Sequence, residues 1–268
     1  MDAPVLRWVR EHLVLVAGLA AVAYMFLPIV VVAVLSFNRP DSRFNFAWSE
    51  FTWDNWTNVC GVQAVCDSVV TSLKIGALAT LVSTVLGTLI ALALVRYRFR
   101  GRAGTNVLIF LPMATPEVVM GSSLLALFVN MGVPLGFTTI LIAHIMFCIS
   151  FVVVTVKARI ATLDPVLEQA AMDLYASPPQ TFLRITLPLI TPGIVAAAML
   201  AFALSFDDFI ITNFSAGTGR TLTFPMYVWG AAQRGVPPQV NVIGTLMFMV
   251  ALLVVLAPRL LRPRAARV

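Results

Sequence analysis

Three carboxylates are the most chemically pointed residues in this sequence. Glu117, Asp207 and Asp208 each interrupt a stretch that is otherwise apolar. An ionised carboxylate in lipid is costly, so each must face a bundle interior or a water-filled cavity. There it can line a path for a cation, or it can hold helices together in a buried polar network. Successive side chains on a helix point about 100° apart. Asp207 and Asp208 therefore cannot both face one groove: one lines a path while the other caps or pairs with a neighbouring helix. Glu117 follows Pro116, which frees a backbone carbonyl that also needs an internal partner. Lys74 either neutralises one of these acids or snorkels to the membrane surface, and its place near a span end favours snorkelling. His144 reads as a hydrogen-bonded packing residue rather than a proton relay.

No catalytic constellation accompanies these acids. His12 and His144 are isolated, and Cys60, Cys66 and Cys148 lack metal-ligand spacing, so no metal site is expected. No glycine-rich phosphate loop is present, so any ATP is bound by another subunit and no cofactor is expected in this one. Cys60 and Cys66 share a polar loop. They form a disulfide if that loop is extracytoplasmic, or remain two free thiols.

The elements that must position the acids are membrane spans. Of 268 residues, 60% are hydrophobic and 11% charged, the composition of a polytopic membrane protein. The net charge of +6 does not then point to nucleic acid. At roughly 20 residues per span, the length accommodates about six spans in one transmembrane domain, 1–268. The spans read as about 13–37, 68–95, 106–130, 137–157, 189–213 and 240–257, all α-helical. The first is too long for a signal-peptide core and lacks a small-residue cleavage site, so it reads as an anchor. Span 2 carries Gly76, Thr80, Ser83, Gly87 and Ala91 at spacings of three and four. Span 5 carries Gly193, Ala197, Ala201 and Ser205 at spacings of four. Such faces let helices approach closely in lipid. Span 3 is broken by Pro112 and Pro116. Trp48, Trp53 and Trp56 suit a membrane–water boundary, and Trp229 with Tyr227 reads as a second interface anchor.

Charge sets the orientation. With the N-terminus inside, the inner segments hold Arg7 and Arg10, Arg96, Arg98, Arg100 and Arg102, Lys157, Arg159 and Arg184, and the tail residues Arg259, Arg262, Arg264 and Arg267. Only Arg39, Arg43, Arg220 and Arg234 fall outside. This excess predicts two cytoplasmic termini. The cluster 96–102 would fix topology and touch anionic lipid head groups.

The same orientation places 164–188 in the cytoplasm, and this stretch reads as a helix, a break and a second helix. Asp164 caps the first, with Pro165 at its first turn. Val166, Leu167, Ala170, Ala171 and Leu174 form an apolar stripe of helical period. Ser177-Pro178-Pro179 breaks it, and Ser177 with Gln180 forms a capping box for a second helix that runs to Pro188. Such a surface between two spans suits docking of another protein, or a plain ordered loop.

These residues resemble the permease subunits of bacterial binding-protein-dependent ABC importers. The signature loop of that family, its EAA motif, is Glu-Ala-Ala, a Gly a few residues on, then Ile-x-Leu-Pro. Here Gln169-Ala170-Ala171, then Tyr175, then Ile185-Thr186-Leu187-Pro188 fall at matching spacing. LALVRYRFRGR, HIMFCISFVVVTVKARI and LSFDDFIITNFSAG look like the spermidine/putrescine branch, specifically its second permease type. The resemblance covers nearly the whole chain, with two departures: Gln169 replaces the signature Glu, although Glu168 precedes it, and Tyr175 replaces the signature Gly. Either the first helix continues through Tyr175, or its ring fills part of a partner's cleft.

The resemblance implies the type I importer permease fold with six transmembrane helices, in the bacterial inner membrane. It implies coupling helices over 164–188 that dock on a cytoplasmic ATPase dimer through Glu168, Gln169, Ala170, Ala171, Asp173, Tyr175, Ala176 and Ser177. It also implies a second homologous permease and an extracytoplasmic substrate-binding protein, with ATP and Mg held by the ATPase. The substrate it implies is a polyamine, carried past Asp207, Asp208 and Glu117. A sugar or an anion is the alternative solute, and an ion-coupled secondary transporter is the alternative mechanism.

Overall fold

The computed structural model describes residues 4–218 and 221–260, with side chains placed from 12 to 257 within them. Arg220, Arg262, Arg264 and Arg267 lie outside the described residues, as do the side chains of Arg7, Arg10 and Arg259. The chain divides into two compact units, Met1–Cys66 with Val228–Val268, and Asp67–Tyr227.

The first unit opens with α1 (Pro4–Leu35), uniformly apolar from His12 onward. A two-stranded ribbon follows, β1 (Asn38–Arg39) antiparallel to β2 (Glu50–Phe51), then the short α2 (Asp54–Thr57). Buried asparagines hold this loop. Asn38 Nδ2 donates to Asn45 Oδ1 (2.7 Å) and Ala47 O (2.8 Å), and its Oδ1 accepts the Ser49 amide at 2.8 Å. Asn55 Nδ2 donates to Ser36 O and Asn38 O. Phe37 stacks on Phe51 and Trp56 and meets Trp53 edge-on, so two of the predicted interface tryptophans pack in a local aromatic cluster. Cys60 and Cys66 are joined in a disulfide, their Cα atoms 5.5 Å apart. The unit's other long helix, α12 (Pro238–Leu260, following α11, Phe224–Arg234), packs along α1, with Phe26 edge-on to Phe248.

The second unit holds most of α3 (Gln63–Arg96), then α4 (Arg102–Ala114), α5 (Glu117–Asn130), α6 (Phe137–Ala161), α7 (Val166–Asp173), α8 (Pro178–Thr181), α9 (Leu187–Asp207) and α10 (Ile210–Ser215). Helix α6 is its axis. Ile140, Ala143, Phe147, Val152, Val156 and Ile160 are all buried, on several sides of the helix, because neighbours cover most of its circumference. The small-residue faces pack as expected. A Cβ on Gly87 would come within 2.6 Å of Val152, and one on Gly193 within 2.6 Å of Arg159 Cβ, so α3 and α9 touch α6 at these glycines. Ala91, Ala197, Ala201 and Ser205 are buried on the same faces.

Helices α1, α3, α6 and α12 and the run Pro178–Asp207 are long and apolar enough to cross a membrane. The pair α4 and α5, bent by 107° at a short break, makes a sixth if it is one span. Its two prolines act differently. Pro112 lies inside α4, whereas Thr115 before Pro116 is extended (ψ 132°), and there the helix turns.

The cytoplasmic reading needs one correction. The second helix does not stop at Pro188. A π-helical turn, Phe182–Thr186, joins α8 to α9 without a break, and the Leu187 amide reaches back five residues to Phe182 O. Proline lacks the amide that would bond four residues back and crowds that carbonyl. The widened turn makes room for it. The span expected over 189–213 is also shorter at its far end. Helix α9 ends at Asp207, Asp208 is extended (ψ 124°), and α10 is a separate helix.

Candidate functional site

The adjacent aspartates are separated by that break. Asp207 ends α9 and is exposed, while Asp208 is buried. The Asp208 carboxylate caps α10. Oδ1 accepts the Ile211 amide at 3.3 Å, and Oδ2 accepts the Thr212 amide at 2.7 Å and the Thr212 hydroxyl at 2.8 Å. His144 on α6 completes the network, with Nδ1 2.7 Å from Ser205 Oγ on α9 and Nε2 2.8 Å from Thr212 Oγ1 and 3.3 Å from Asp208 Oδ2. Because the Thr212 hydroxyl donates to Asp208, the contacts are satisfied when Nε2–H donates and Nδ1 accepts from Ser205. Cys148 Sγ donates to Ala201 O at 3.5 Å one turn away. His144, Asp208, Ser205 and Thr212 therefore hold α6, α9 and α10 together at the level of the break. Asp208 is the capping member of the pair, and the Asp207 carboxylate lies outside this network. Glu117 is exposed at the first turn of α5, just past the 107° bend. Lys74 is exposed on α3.

The stretch 164–188 is built as its caps predict. Asp164 Oδ1 accepts the Val166 amide at 2.9 Å, and the Ser177 amide donates to Gln180 Oε1 at 3.0 Å. Helix α7 ends before Tyr175, which excludes the continuous-helix alternative. The Ala176 amide bonds Ala171 O and the Tyr175 amide bonds Met172 O, the Schellman pattern that closes a helix. Tyr175 occupies the left-handed position of that motif with φ +63°, the only non-glycine residue with positive φ among those described. A glycine would take this conformation without cost, whereas the tyrosine holds it under strain.

Its ring is 98% exposed, and Leu174 beside it 81%. Val166, Leu167 and Met172 are exposed as well. Of the predicted apolar stripe only Ala171 is buried. Gln169, Ala170, Asp173 and Ser177 are exposed and Ala176 half-buried. Among the described residues none covers the rest of the stripe, leaving an apolar patch crowned by an aromatic ring.

Glu168 points the other way. Arg96, at the end of α3, grips both oxygens of its carboxylate in a bidentate pair. The Thr186 hydroxyl donates to Oε1 at 2.6 Å. Burial opposes the charged form, but the bonds from Arg96 and Thr186 and the Arg96 charge outweigh it and hold the carboxyl below its ordinary value. Arg96 thus has a protein partner and not only the lipid role expected of its cluster. The sequence carries no signal pairing residues 72 apart, and Thr186 was visible only as a filler position of the signature.

Comparison with known proteins completes the description. Residues 83–265 match the family described as binding-protein-dependent transport system inner membrane component. The chain is 34% identical to the spermidine/putrescine transport system permease protein PotC of Haemophilus influenzae, over 89% of this chain and 92% of that one. It is 36% identical to PotC of Escherichia coli K12, over 90% of each. It is also 36% identical to the putrescine transport system permease protein PotI of E. coli K12, over 91% and 87%. A crystal structure of a bacterial ABC transporter that imports the acidic polysaccharide alginate shares the fold, with a TM-score of 0.65 over 97% of this chain and 98% of that one at 15% identity. A second structure of the alginate transporter, with its periplasmic protein bound, matches at a TM-score of 0.62 over 94% of each chain and 15% identity.

Proposed function

Because the chain belongs to the binding-protein-dependent transport system inner membrane components, we propose that it forms half of the translocation pathway of an ATP-driven polyamine importer. Likeness to spermidine and putrescine permeases over nine-tenths of the chain supports that substrate class. The observation that carries the reading within the molecule is the separation of the aspartates. Asp208 is committed to the cap, and Asp207 stands exposed at the end of an apolar helix, where a carboxylate is tolerated only against water or a cation. A polycation is suited to that position. Glu117, exposed beside the α4–α5 bend, offers a second carboxylate for the same path.

Partners follow the same reading: a second homologous permease, an extracytoplasmic binding protein, and a cytoplasmic ATPase dimer that holds ATP and Mg. The exposed patch Val166, Leu167, Met172, Leu174 and Tyr175 docks on the ATPase, with the Tyr175 ring in its cleft. Gln169, Ala170, Asp173, Ala176 and Ser177 border that contact. ATP-driven closure of the ATPase dimer displaces α7 and α8, and the motion passes through α9 to Asp207. Both termini are cytoplasmic. The excess of inner arginines supports this, and so does the Cys60–Cys66 disulfide, which suits a loop in an oxidising compartment outside the cytoplasm.

The test is Asp207→Asn in the assembled transporter. Spermidine uptake into proteoliposomes falls by at least 10-fold while the complex assembles normally. Unchanged uptake removes Asp207 from the path.

A further inference from the structure

The coupling segment contains a gap that its docking surface does not bridge. Helix α7 has eight residues, too few to be stable alone. It ends at the left-handed Tyr175, and Ser177 is extended (ψ 155°), so no helical hydrogen bonds run from α7 into α8. Of its residues only Ala171 is buried. A push on α7 at its exposed face has no helical continuity across the join 174–177 to carry it into α8, so another connection must.

We propose that Arg96, Glu168 and Thr186 form a three-point clamp that makes α7, the end of α3 and the start of the α8–α9 rod a single moving body. This rests on the importer reading. Each member sits on a different element. Arg96 is in the last turn of α3, Glu168 in the first turn of α7, and Thr186 in the π turn that enters α9. The geometry is that of a rigid joint. The guanidinium fork fixes the carboxylate plane through two parallel bonds, and the buried Thr186 hydroxyl fixes one oxygen from a third direction. A single surface ion pair contributes little, but a bidentate pair with a third bond is a small network. The Glu168 carboxylate is thereby occupied within its own chain. It is not available to the ATPase, whose contacts fall to the exposed Gln169 and Tyr175. Arg96, Glu168 and Thr186 are positioning residues: they touch neither the solute nor ATP, and act through α7.

Two readouts test the clamp in the complete transporter. The first is polyamine taken up per ATP hydrolysed in proteoliposomes, for Arg96→Glu, Glu168→Arg and the double reversal. Either single change lowers the ratio by about 10-fold, and the double reversal brings it back to within about 2-fold of the parent, because the pair is remade with its charges exchanged. A double variant as poor as the singles, or an Arg96→Glu variant as well coupled as the parent, overturns the proposal. The second is amide hydrogen exchange over 166–173 in the same complex for Glu168→Gln and Thr186→Val. The clamp requires faster exchange in both, about 10-fold for Glu168→Gln, with the transmembrane helices unchanged. Unchanged exchange in α7 overturns it. Exchange does not depend on which solute is carried. A parent complex that fails to take up polyamine but shows the α7 effect therefore refutes the polyamine reading and leaves the clamp standing.

Discussion

Replacing Tyr175 by glycine separates backbone strain from the function of the ring. A non-glycine residue at φ +63° costs about 1–2 kcal/mol. Glycine removes that cost but makes the unfolded chain more flexible, which offsets about 0.5–1 kcal/mol. The net expectation is a gain of about 0.5–1 kcal/mol in the Schellman turn. Nothing is lost within the chain, since the ring is 98% exposed. In the ATPase complex the sign reverses. A tyrosine buried at an interface typically costs about 2 kcal/mol or more to truncate, about 30-fold in Kd. Tyr175→Ala keeps the strained backbone and loses the ring, and Tyr175→Phe keeps both. The assays are exchange of the Ala176 amide, which donates the closing bond to Ala171, and titration of the ATPase onto the permease pair in nanodiscs. Glycine should slow Ala176 exchange about 3-fold, whereas alanine should not slow it. Both should weaken ATPase binding by about 30-fold, with phenylalanine near the parent. If alanine and glycine bind the ATPase like the parent, the ring is not in the interface and the docking reading is wrong.

Further outcomes follow from the same geometry. Asp208→Ala removes the acceptor for the Ile211 and Thr212 amides and the Thr212 hydroxyl, and should cost about 3 kcal/mol of stability in thermal unfolding. Asp207→Asn should leave the melting temperature unchanged. The Cys60–Cys66 thiols should react with an impermeant maleimide on intact spheroplasts only after reduction, and labelling without reduction would contradict the disulfide. The carboxyl of Glu168 titrates below its ordinary value of 4.5, so the Arg96 pair contributes its full stability above that value and loses it only as pH falls through the lowered one. Protection of α7, corrected for intrinsic exchange, should therefore be flat from about pH 8 to about pH 5.5 and fall only in stronger acid.

Local chemistry made much of this legible in the sequence. Asp164, Ser177 and Gln180 cap the helices they were expected to cap, because capping depends on side chains within three residues. The small-residue faces of α3 and α9 announced close packing, because only small residues permit it. The intramembrane acids stood out by cost alone. What stayed hidden was conformation decided by competition. Pro112 and Pro116 look equivalent in the sequence, and only the extended Thr115 selects the second as the bend. Pro188 reads as a stop, and a five-residue turn lets the helix pass it. Tyr175 left open whether the first helix continued through it, and the Schellman bonds around it end the helix there. Which of Asp207 and Asp208 is the cap was set by the break after α9, which apolar periodicity does not encode. The clamp joins residues distant in sequence, and no local pattern reveals it.

The uninterrupted run from Pro178 to Asp207 also sets a gear ratio. Thirty residues of helix span about 45 Å. A rod of that length pivoting near Pro178 converts a 10° tilt into a displacement of about 8 Å at Asp207, by the arithmetic of that rise. Had the helix stopped at Pro188, the stroke would have been spent in a hinge at the membrane surface. With the π turn in place, a small tilt applied at α8 reaches Asp207 undiminished.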